Sequence, residues 1–251
     1  MSTAPRKHAG SAAAPYAAVR DLVLANRILA HEGIVDAFGH VSARHPVNPG
    51  RYLISRSLAP ELVQGEDILA LDLDSNPVGV TNVALYLERF IHGEIYRRRP
   101  DVHAIVHSHS PTTIPFGITG VKLRPVFHMS GFLGKAPPIF EIRDQVKHSD
   151  MLVRTPALGV ALAEALGPHS LALMRGHGNV VVATDIKVAV YRAIYCEANA
   201  RLQLQALQLD PKPRYLSDTE AAQADATNMK VIGRPWRYWA ERAGCADLLD
   251  S

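Results

Sequence analysis

The sequence predicts one layered α/β domain built around a mixed sheet. Helical periodicity and short apolar strands interleave along the chain, but without the strict βαβ rhythm of a Rossmann fold. No glycine-rich phosphate-binding loop of either standard type occurs in the sequence. The length of 251 residues is within the range of a single large α/β domain.

The first half of the chain carries two predicted helices and four predicted strands. The first helix runs from Tyr16 to Glu32, where apolar residues recur at helical spacing, and Gly33 ends it. The second runs from near Asn82 to Arg98. The strands are expected within residues 34–44, 52–55, 68–72 and 102–106.

The second half carries three predicted helices and three predicted strands. Thr155 is a good N-cap with proline directly after it, and this helix ends at Gly167. A long helix is expected from Asp185 to about Leu209, and a last short helix contains Trp236, Tyr238 and Trp239. The strands are expected over residues 121–129, 171–174 and 180–182.

Composition excludes several classes of protein. The formal net charge of +3 is too balanced for a nucleic-acid or membrane-surface binder, and no apolar stretch is long enough to span a membrane. Residues 1–15 lack the apolar run of a signal peptide and are predicted to be a disordered arm. Cys196 and Cys245 form neither a disulfide framework nor a zinc knuckle, so we expect a cytoplasmic protein.

Twelve histidines are present, and two of them form the sharpest local signal. His107 and His109 follow an apolar strand, and residues i and i+2 of a strand lie on the same side, about 7 Å apart. Two imidazoles in that arrangement can bind one metal ion. The alternative is a pair of polar residues at a strand end, and we favour the metal site.

Two further segments could complete such a site. His177 lies between glycines in a turn and is the best third ligand, although by itself it would be interpreted as an ordinary turn histidine. Glu88 and His92 are spaced i, i+4 on the second predicted helix, on a face with apolar residues. An inward carboxylate there suits a metal ligand or an acid–base group. A surface ion pair with Arg89 or Arg98 is the alternative.

These residues, in this order, resemble the class II aldolase/adducin family. The resemblance covers about Tyr16 to Asp210 and assigns residues 16–251 to one such domain with a C-terminal helical segment. It implies a three-layer α/β/α fold with a central mixed, largely antiparallel sheet. It also implies a homotetramer or higher homo-oligomer with active sites at subunit interfaces. The resemblance implies that His107, His109 and His177 bind one divalent metal ion and that Glu88 is a further metal ligand, the catalytic acid–base group, or both in turn.

Three departures from the sugar-phosphate aldolases of this family indicate a rebuilt substrate pocket. Two serines before the glutamate are replaced by Tyr86-Leu87, an asparagine is replaced by His40, and the phosphate loop becomes Ser55-Arg56-Ser57-Leu58. A phosphate cradle is thus lost, while an imidazole and a guanidinium are gained. Arginine suits bidentate carboxylate recognition. A planar, carboxylated substrate fits this change better than a sugar phosphate.

Longer runs resemble the decarboxylase branch of the family, which acts on hydroxylated aromatic and pyridine carboxylates. The runs are residues 36–42, 87–96, 128–132 and 191–195. The resemblance implies a carbon–carbon lyase of aromatic compound catabolism. Its cofactor would be one divalent metal ion per subunit, Mn²⁺ or Zn²⁺, with Fe²⁺ and Co²⁺ as alternatives.

Roles for the candidate residues follow as hypotheses. Glu88 is expected to donate a proton to the ring carbon, with its pKa raised by apolar surroundings, so Glu88→Gln would keep its metal and lose turnover. His92 would position a neighbouring group of the site or relay a proton. His40, Arg56, Ser57 and His128 would bind the substrate.

Two other functions compete with the decarboxylase. One is a class II aldolase or epimerase acting on a sugar acid or sugar phosphate. The other is a non-enzymatic adducin-like domain, which we would expect to have lost metal ligands. The six remaining histidines need no functional role.

Overall fold

Seven strands form one mixed sheet in the part of the chain that the computed structural model describes, residues 16–249. The predicted arm, residues 1–15, lies outside the described residues. The strands are β1 (His40–Arg44), β2 (Arg51–Ser55), β3 (Ile68–Asp72), β4 (Ala104–Ser108), β5 (Ile139–Phe140), β6 (Leu171–Met174) and β7 (Gly178–Ala183). Their order is β3-β2-β1-β4-β7-β6-β5, and only the β5–β6 pair is parallel. The predicted mixed, largely antiparallel sheet is confirmed.

Helices cover both faces of the sheet. They are α1 (Tyr16–His31), α2 (Phe90–Arg98), α3 (Ile114–Ile118), α4 (Pro156–Leu166), α5 (Ile186–Leu209), α6 (Asp218–Met229) and α7 (Gly233–Arg242). Alternate residues of the strands enter two separate cores. In β4, Ala104 and Val106 join the core with α1, α5 and α7, whereas Ile105 joins the core with α2 and α4. This arrangement is the expected three-layer α/β/α fold.

Local capping explains the helix boundaries that were predicted well. The Thr155 hydroxyl accepts a hydrogen bond from the backbone N–H of Leu158, and Asp185 accepts one from Lys187 at the start of α5. Helix α1 ends at His31, one residue before its predicted end.

The second predicted helix is wrong at its start. Helix α2 begins only at Phe90, after a short 3₁₀ turn over Leu87–Arg89. The preceding residues are held by the loop after β2: the Ala84 carbonyl accepts from the Ser57 N–H, and the Tyr86 hydroxyl donates to the Leu58 carbonyl. These tertiary contacts override the helical periodicity of the segment.

The predicted strand over residues 121–129 is also wrong. This segment pairs with no strand within residues 16–249, and its backbone bonds to amide side chains of α5 instead. Asn199 accepts from the Val126 N–H and donates to the Arg124 carbonyl, while Gln203 accepts from the Arg124 N–H and donates to the Lys122 carbonyl. The backbone is therefore satisfied without a sheet.

Helix α6 was not anticipated, although its start carries a capping box. The Ser217 hydroxyl accepts from the Glu220 N–H, and the Glu220 carboxylate accepts from the Ser217 N–H. The helix is mostly polar and packs on the 3₁₀ segment His128–Leu133. Within residues 16–249, no helix has both the length and the apolar character needed to cross a membrane.

Candidate active site

Four side chains with metal-binding groups meet at one end of β4. His107 lies in β4 and His109 just beyond it, His177 lies in the turn between β6 and β7, and Glu88 lies in the turn before α2. One ligand atom from each of the four lies within 4.8 Å of every other. The structure therefore brings together all four residues that were expected to hold a metal.

The spacing of these donors fits a divalent metal ion. The Nε2 atom of His109 is 3.3 Å from Nε2 of His107 and 3.1 Å from Nε2 of His177. Oε2 of Glu88 is 3.5 Å from Nε2 of His107 and 3.4 Å from Nε2 of His177. Neighbouring donors bound to one ion at about 2.0–2.1 Å are about 2.9–3.4 Å apart, which is close to these four distances. The imidazole and carboxylate donors thus match such an ion in both type and spacing.

Backbone groups behind the cluster orient three of the four ligands. Nδ1–H of His107 donates to the Asn179 carbonyl at 3.0 Å, and Nδ1–H of His177 donates to the Met151 carbonyl at 2.9 Å. Both bonds leave the Nε2 lone pair free to bind a metal. Oε1 of Glu88 accepts from the Val153 N–H at 2.8 Å, which turns Oε2 toward the histidines.

Two glycines allow His177 to approach His109. Gly176 has a φ of +63°, a backbone conformation that L side chains rarely adopt. Gly178 lies so close to the end of β4 that a Cβ atom there would overlap the Ser108 carbonyl oxygen. Of the two flanking glycines, Gly176 is thus required by the backbone conformation of the turn and Gly178 by the close approach of β7 to β4.

The electrostatics of the cluster overturn one expectation. Burial by itself raises the pKa of Glu88, but hydrogen bonds and charges from His107 and His177 outweigh it, and the pKa is lowered well below its ordinary value. The expectation of a raised pKa is therefore wrong. Burial and the neighbouring imidazoles lower the pKa of His109 to about 4. The cluster is an ionised carboxylate beside an imidazole that is neutral at pH 7.

His92 lies behind the cluster rather than in it. Glu88 is in the 3₁₀ turn and His92 is in α2, so the two do not share one helix as expected. Nε2 of His92 is 2.6 Å from Nδ1 of His40, and its Nδ1 is 2.6 Å from the Ser42 hydroxyl. Burial lowers the pKa of His92 to about 3. His92 is thus a neutral, buried partner of His40.

His40 lies between the buried His92 and the four-residue cluster. It is opposite His107 in the β1–β4 pairing, and the two rings are 5.0 Å apart between centroids. The Tyr86 ring lies 4.7 Å away on another side. The structure therefore places His40 at the edge of the candidate site.

Arg56 and Ser57 lie in the loop after β2, beyond Tyr86. Nε of Arg56 is 2.6 Å from a carboxylate oxygen of Asp67, and more than a third of the Arg56 side chain is exposed. Ser57 is exposed. The Tyr86 hydroxyl bonds to Ser55 at 3.0 Å, so this loop and the His40 edge share one aromatic neighbour.

His128 is not brought to the cluster within one chain. It is exposed and lines a cavity of about 400 Å³ between α5, α6 and α7. That cavity is on the other face of the sheet, because Met129, Tyr191 and Tyr195 belong to the core with α1 and α5. Within residues 16–249, no hydrogen bond or ring contact joins His128 to the four-residue cluster.

The sequence held signals for two residues that were missed. Ser42 has the same parity on β1 as His40, and Tyr96 follows His92 by four positions on α2. Their hydroxyl groups lie 2.8 Å apart, and both residues are buried. The two-residue period of a strand leads from His40 to Ser42, and the four-residue spacing of a helix leads from His92 to Tyr96. The Asn179, Met151 and Val153 backbone groups have no such signal.

The comparisons with known proteins agree with this fold and this site. The family model of the class II aldolase and adducin N-terminal domain matches residues 20–204. The chain belongs to the class II aldolase and adducin family. Residues outside the match include α6 and α7.

Two relatives in this family carry decarboxylase names. The decarboxylase tropJ of Talaromyces stipitatus is 36% identical, with 92% of this chain and 95% of the relative covered. The 3,4-dihydroxyphthalate decarboxylase of Arthrobacter keyseri is 30% identical, with 96% and 97% covered. An aldolase II superfamily protein from Pseudomonas syringae has the same fold, with a TM-score of 0.78, 18% identity and 95% and 96% coverage. The predicted resemblance to the decarboxylase branch is confirmed.

Proposed function

We propose that this chain is a divalent-metal-dependent carboxy-lyase that decarboxylates a hydroxylated aromatic or pyridine carboxylate or dicarboxylate. One observation carries the proposal. A complete cluster of three histidines and one glutamate lies in a chain that matches named decarboxylases over more than nine-tenths of its length. An adducin-like domain without activity would have no need to keep all four groups in register.

The residues that would hold the metal are His107, His109, His177 and Glu88, with one ion per subunit. We propose Mn²⁺ or Zn²⁺, with Fe²⁺ or Co²⁺ as alternatives, because imidazole and carboxylate ligands accept all of these ions. When bound, the ion acts as a Lewis acid that stabilises negative charge on a substrate oxygen.

Glu88 would move one proton through the reaction. As an ionised carboxylate, it takes the proton of the ring hydroxyl and returns it to the ring carbon that carries the substrate carboxylate. The substrate is then a β-keto acid, and its C–C bond breaks so that CO₂ leaves and the bonding electron pair returns to the ring oxygen. A proton from solvent completes the hydroxylated product.

The pocket around His40 would select the substrate. His40 borders the cluster, and Arg56 and Ser57 lie beyond Tyr86 in the loop that replaces the phosphate loop of the sugar-phosphate aldolases. One nitrogen of Arg56 is held by Asp67, which fixes the guanidinium while more than a third of the side chain stays exposed. We propose that His40, Arg56 and Ser57 bind the ring hydroxyl and the second carboxylate of the substrate.

His128 requires a second subunit if it is to contact substrate. It is exposed on the face of the sheet opposite to the cluster. We propose a homotetramer with active sites at subunit interfaces, in which His128 lines the site of a neighbouring subunit. We also propose that the protein is a cytoplasmic enzyme of aromatic compound catabolism. The two free, buried cysteines support a reducing compartment.

The test is a metal-reconstitution assay on the full chain. Protein stripped with chelator and reloaded with Zn²⁺, Mn²⁺, Fe²⁺ or Co²⁺ is assayed for CO₂ release from hydroxyphthalates and hydroxypyridine dicarboxylates. A parallel assay follows aldehyde release from sugar phosphates. We expect metal-dependent CO₂ release that His107→Ala abolishes and that His103→Ala, on the segment just before β4, retains. Aldehyde release without CO₂ release would overturn the proposal.

A further inference from the structure

A buried row of four polar side chains runs from α2 to the edge of the candidate site. The Tyr96 hydroxyl is 2.8 Å from the Ser42 hydroxyl, which is 2.6 Å from Nδ1 of His92. Nε2 of His92 is 2.6 Å from Nδ1 of His40. All four side chains are at most 4% exposed, so water does not compete for these bonds.

The donor and acceptor count gives this row one direction. The Tyr96 hydroxyl has Ser42 as its single partner within the described residues, so its proton must go to the Ser42 oxygen. Ser42 has one other partner, so its proton goes to Nδ1 of His92. A neutral His92 that accepts at Nδ1 carries its proton on Nε2 and donates it to Nδ1 of His40. Any other direction leaves a buried hydroxyl proton without an acceptor.

The last ring in the row then carries its proton on Nε2, the nitrogen that does not contact His92. Nδ1 of His40 accepts from His92, so a neutral His40 is protonated at Nε2. Nε2 has no hydrogen-bond partner within residues 16–249, and it is not fully buried. The ring also neighbours the His107 ring, at 5.0 Å between centroids, and the Tyr86 ring, at 4.7 Å, so it borders the candidate site.

We propose that Tyr96, Ser42 and His92 are positioning residues that hold His40 as the Nε2–H tautomer, so that His40 is a fixed hydrogen-bond donor to an anionic oxygen of the substrate. This inference rests on the proposed decarboxylase function. Every oxygen of a hydroxy-aromatic carboxylate that becomes or remains anionic is an acceptor, and the opposite tautomer would present a lone pair to it. A fixed donor also needs no reorientation during the reaction.

The first readout needs no turnover. The zinc-loaded full chain, labelled with ¹⁵N-histidine, is examined by two-bond ¹⁵N–¹H correlation, with the His40 signals identified by their loss in His40→Ala. We expect a proton on Nε2 of His40 and none on Nδ1. In Ser42→Ala, we expect a mixed or reversed tautomer. A proton on Nδ1 in the unsubstituted protein overturns the proposal, whether or not the enzyme releases CO₂.

The second readout is kinetic and compares the loss of a hydroxyl group in the row with the loss of a hydroxyl group outside it. Tyr52 is buried beside Tyr96, but its hydroxyl donates to Ser75 and lies outside the row. We expect Ser42→Ala to lower kcat/KM by about tenfold, the loss of one oriented hydrogen bond. Ser42→Thr should restore most of the activity, and Tyr52→Phe should change it less than about twofold.

A double-mutant cycle separates positioning from a structural role. If Ser42 acts through His40, Ser42→Ala lowers kcat/KM no further in a His40→Ala background. Tyr96→Phe should lower it less than Ser42→Ala does, because Ser42 still donates to His92. Equal, additive losses from Ser42→Ala in both backgrounds would overturn the proposal. Absence of CO₂ release from every substrate would instead refute the proposed function and leave the tautomer result standing.

Discussion

The sharpest prediction concerns Glu88→Gln, because the two carboxylate oxygens of Glu88 have different partners. Oε1 accepts from the Val153 N–H at 2.8 Å, and Oε2 lies 3.5 Å from Nε2 of His107 and 3.4 Å from Nε2 of His177. Glutamine keeps the shape of the side chain but has only one acceptor oxygen. It cannot serve both partners.

Each orientation of the amide carries a cost. If its oxygen faces Val153, the NH₂ group faces the histidines and offers no lone pair to a metal. If the oxygen faces the histidines, two N–H groups point at each other and the buried Val153 N–H loses its acceptor, which costs about 1–3 kcal/mol. Metal affinity should therefore fall by at least about 5- to 150-fold. This revises the sequence-based hypothesis that Glu88→Gln keeps its metal.

The assay is a metal titration against a competing chelator, together with turnover at saturating metal. Glu94→Gln is the matched control, because Glu94 is also a buried carboxylate, but its partners are Arg98, 2.7 Å away, and Arg97, 3.6 Å away. We expect Glu88→Gln to bind metal more weakly and to lose about 10²- to 10⁴-fold in turnover even when loaded, since an amide cannot carry the proton. Wild-type affinity and turnover in Glu88→Gln would refute this reasoning.

Three further predictions follow from the packing and charge of the domain. Gly178→Ala should weaken zinc binding in the chelator titration, because the added methyl group overlaps the Ser108 carbonyl; unchanged affinity would contradict this. Arg44→Met should lower the free energy of unfolding in urea by about 3 kcal/mol, because Arg44 donates to four backbone carbonyls. Glu141 has a pKa lowered to about 2 by its hydrogen bond with Arg143, so its contribution is complete above the ordinary pKa of about 4.3 and is lost as pH falls toward 2. Glu141→Gln should therefore be less stable than wild type by about 0.5–1 kcal/mol at pH 7 and nearly equal to it near pH 2, and a gap independent of pH would argue against the pair.

Parity and capping made much of the fold and the metal site predictable. Alternation along β4 places His107 on the same face as Ile105, and the caps at Thr155 and Asp185 fix where two helices begin. The convergence of His177 on this strand depends on the β4–β7 pairing, which sequence periodicity does not specify. The family resemblance supplied that link.

The errors arise where distant side chains decide the local structure. Residues 121–129 have the composition of a strand, but Asn199 and Gln203, more than 70 positions later, take the hydrogen bonds that a neighbouring strand would have taken. The prediction of a raised pKa for Glu88 is wrong for a related reason. Burial was foreseen from the apolar face, whereas the two histidines that outweigh burial come from other elements.

The pairing of β1 with β4 places the proposed substrate edge beside the metal-binding cluster. His40 is directly opposite His107, so a residue that we propose to contact substrate and a residue that would bind the metal share one rung of the sheet. Behind that rung, His92 contacts His40, and the Asn179 carbonyl holds His107. Neither ring can turn without breaking a buried hydrogen bond. His40 stands where the sugar-phosphate aldolases of the family have an asparagine, so the buried residues behind it must hold an imidazole in place beside His107. His92 contacts His40, and Ser42 contacts His92, so these two residues provide that support. His92→Ala tests whether the two rings are held separately: substrate binding should weaken because His40 loses its partner, while zinc affinity should stay near that of the unsubstituted protein because the Asn179 carbonyl still holds His107. Unchanged substrate binding in His92→Ala would contradict this.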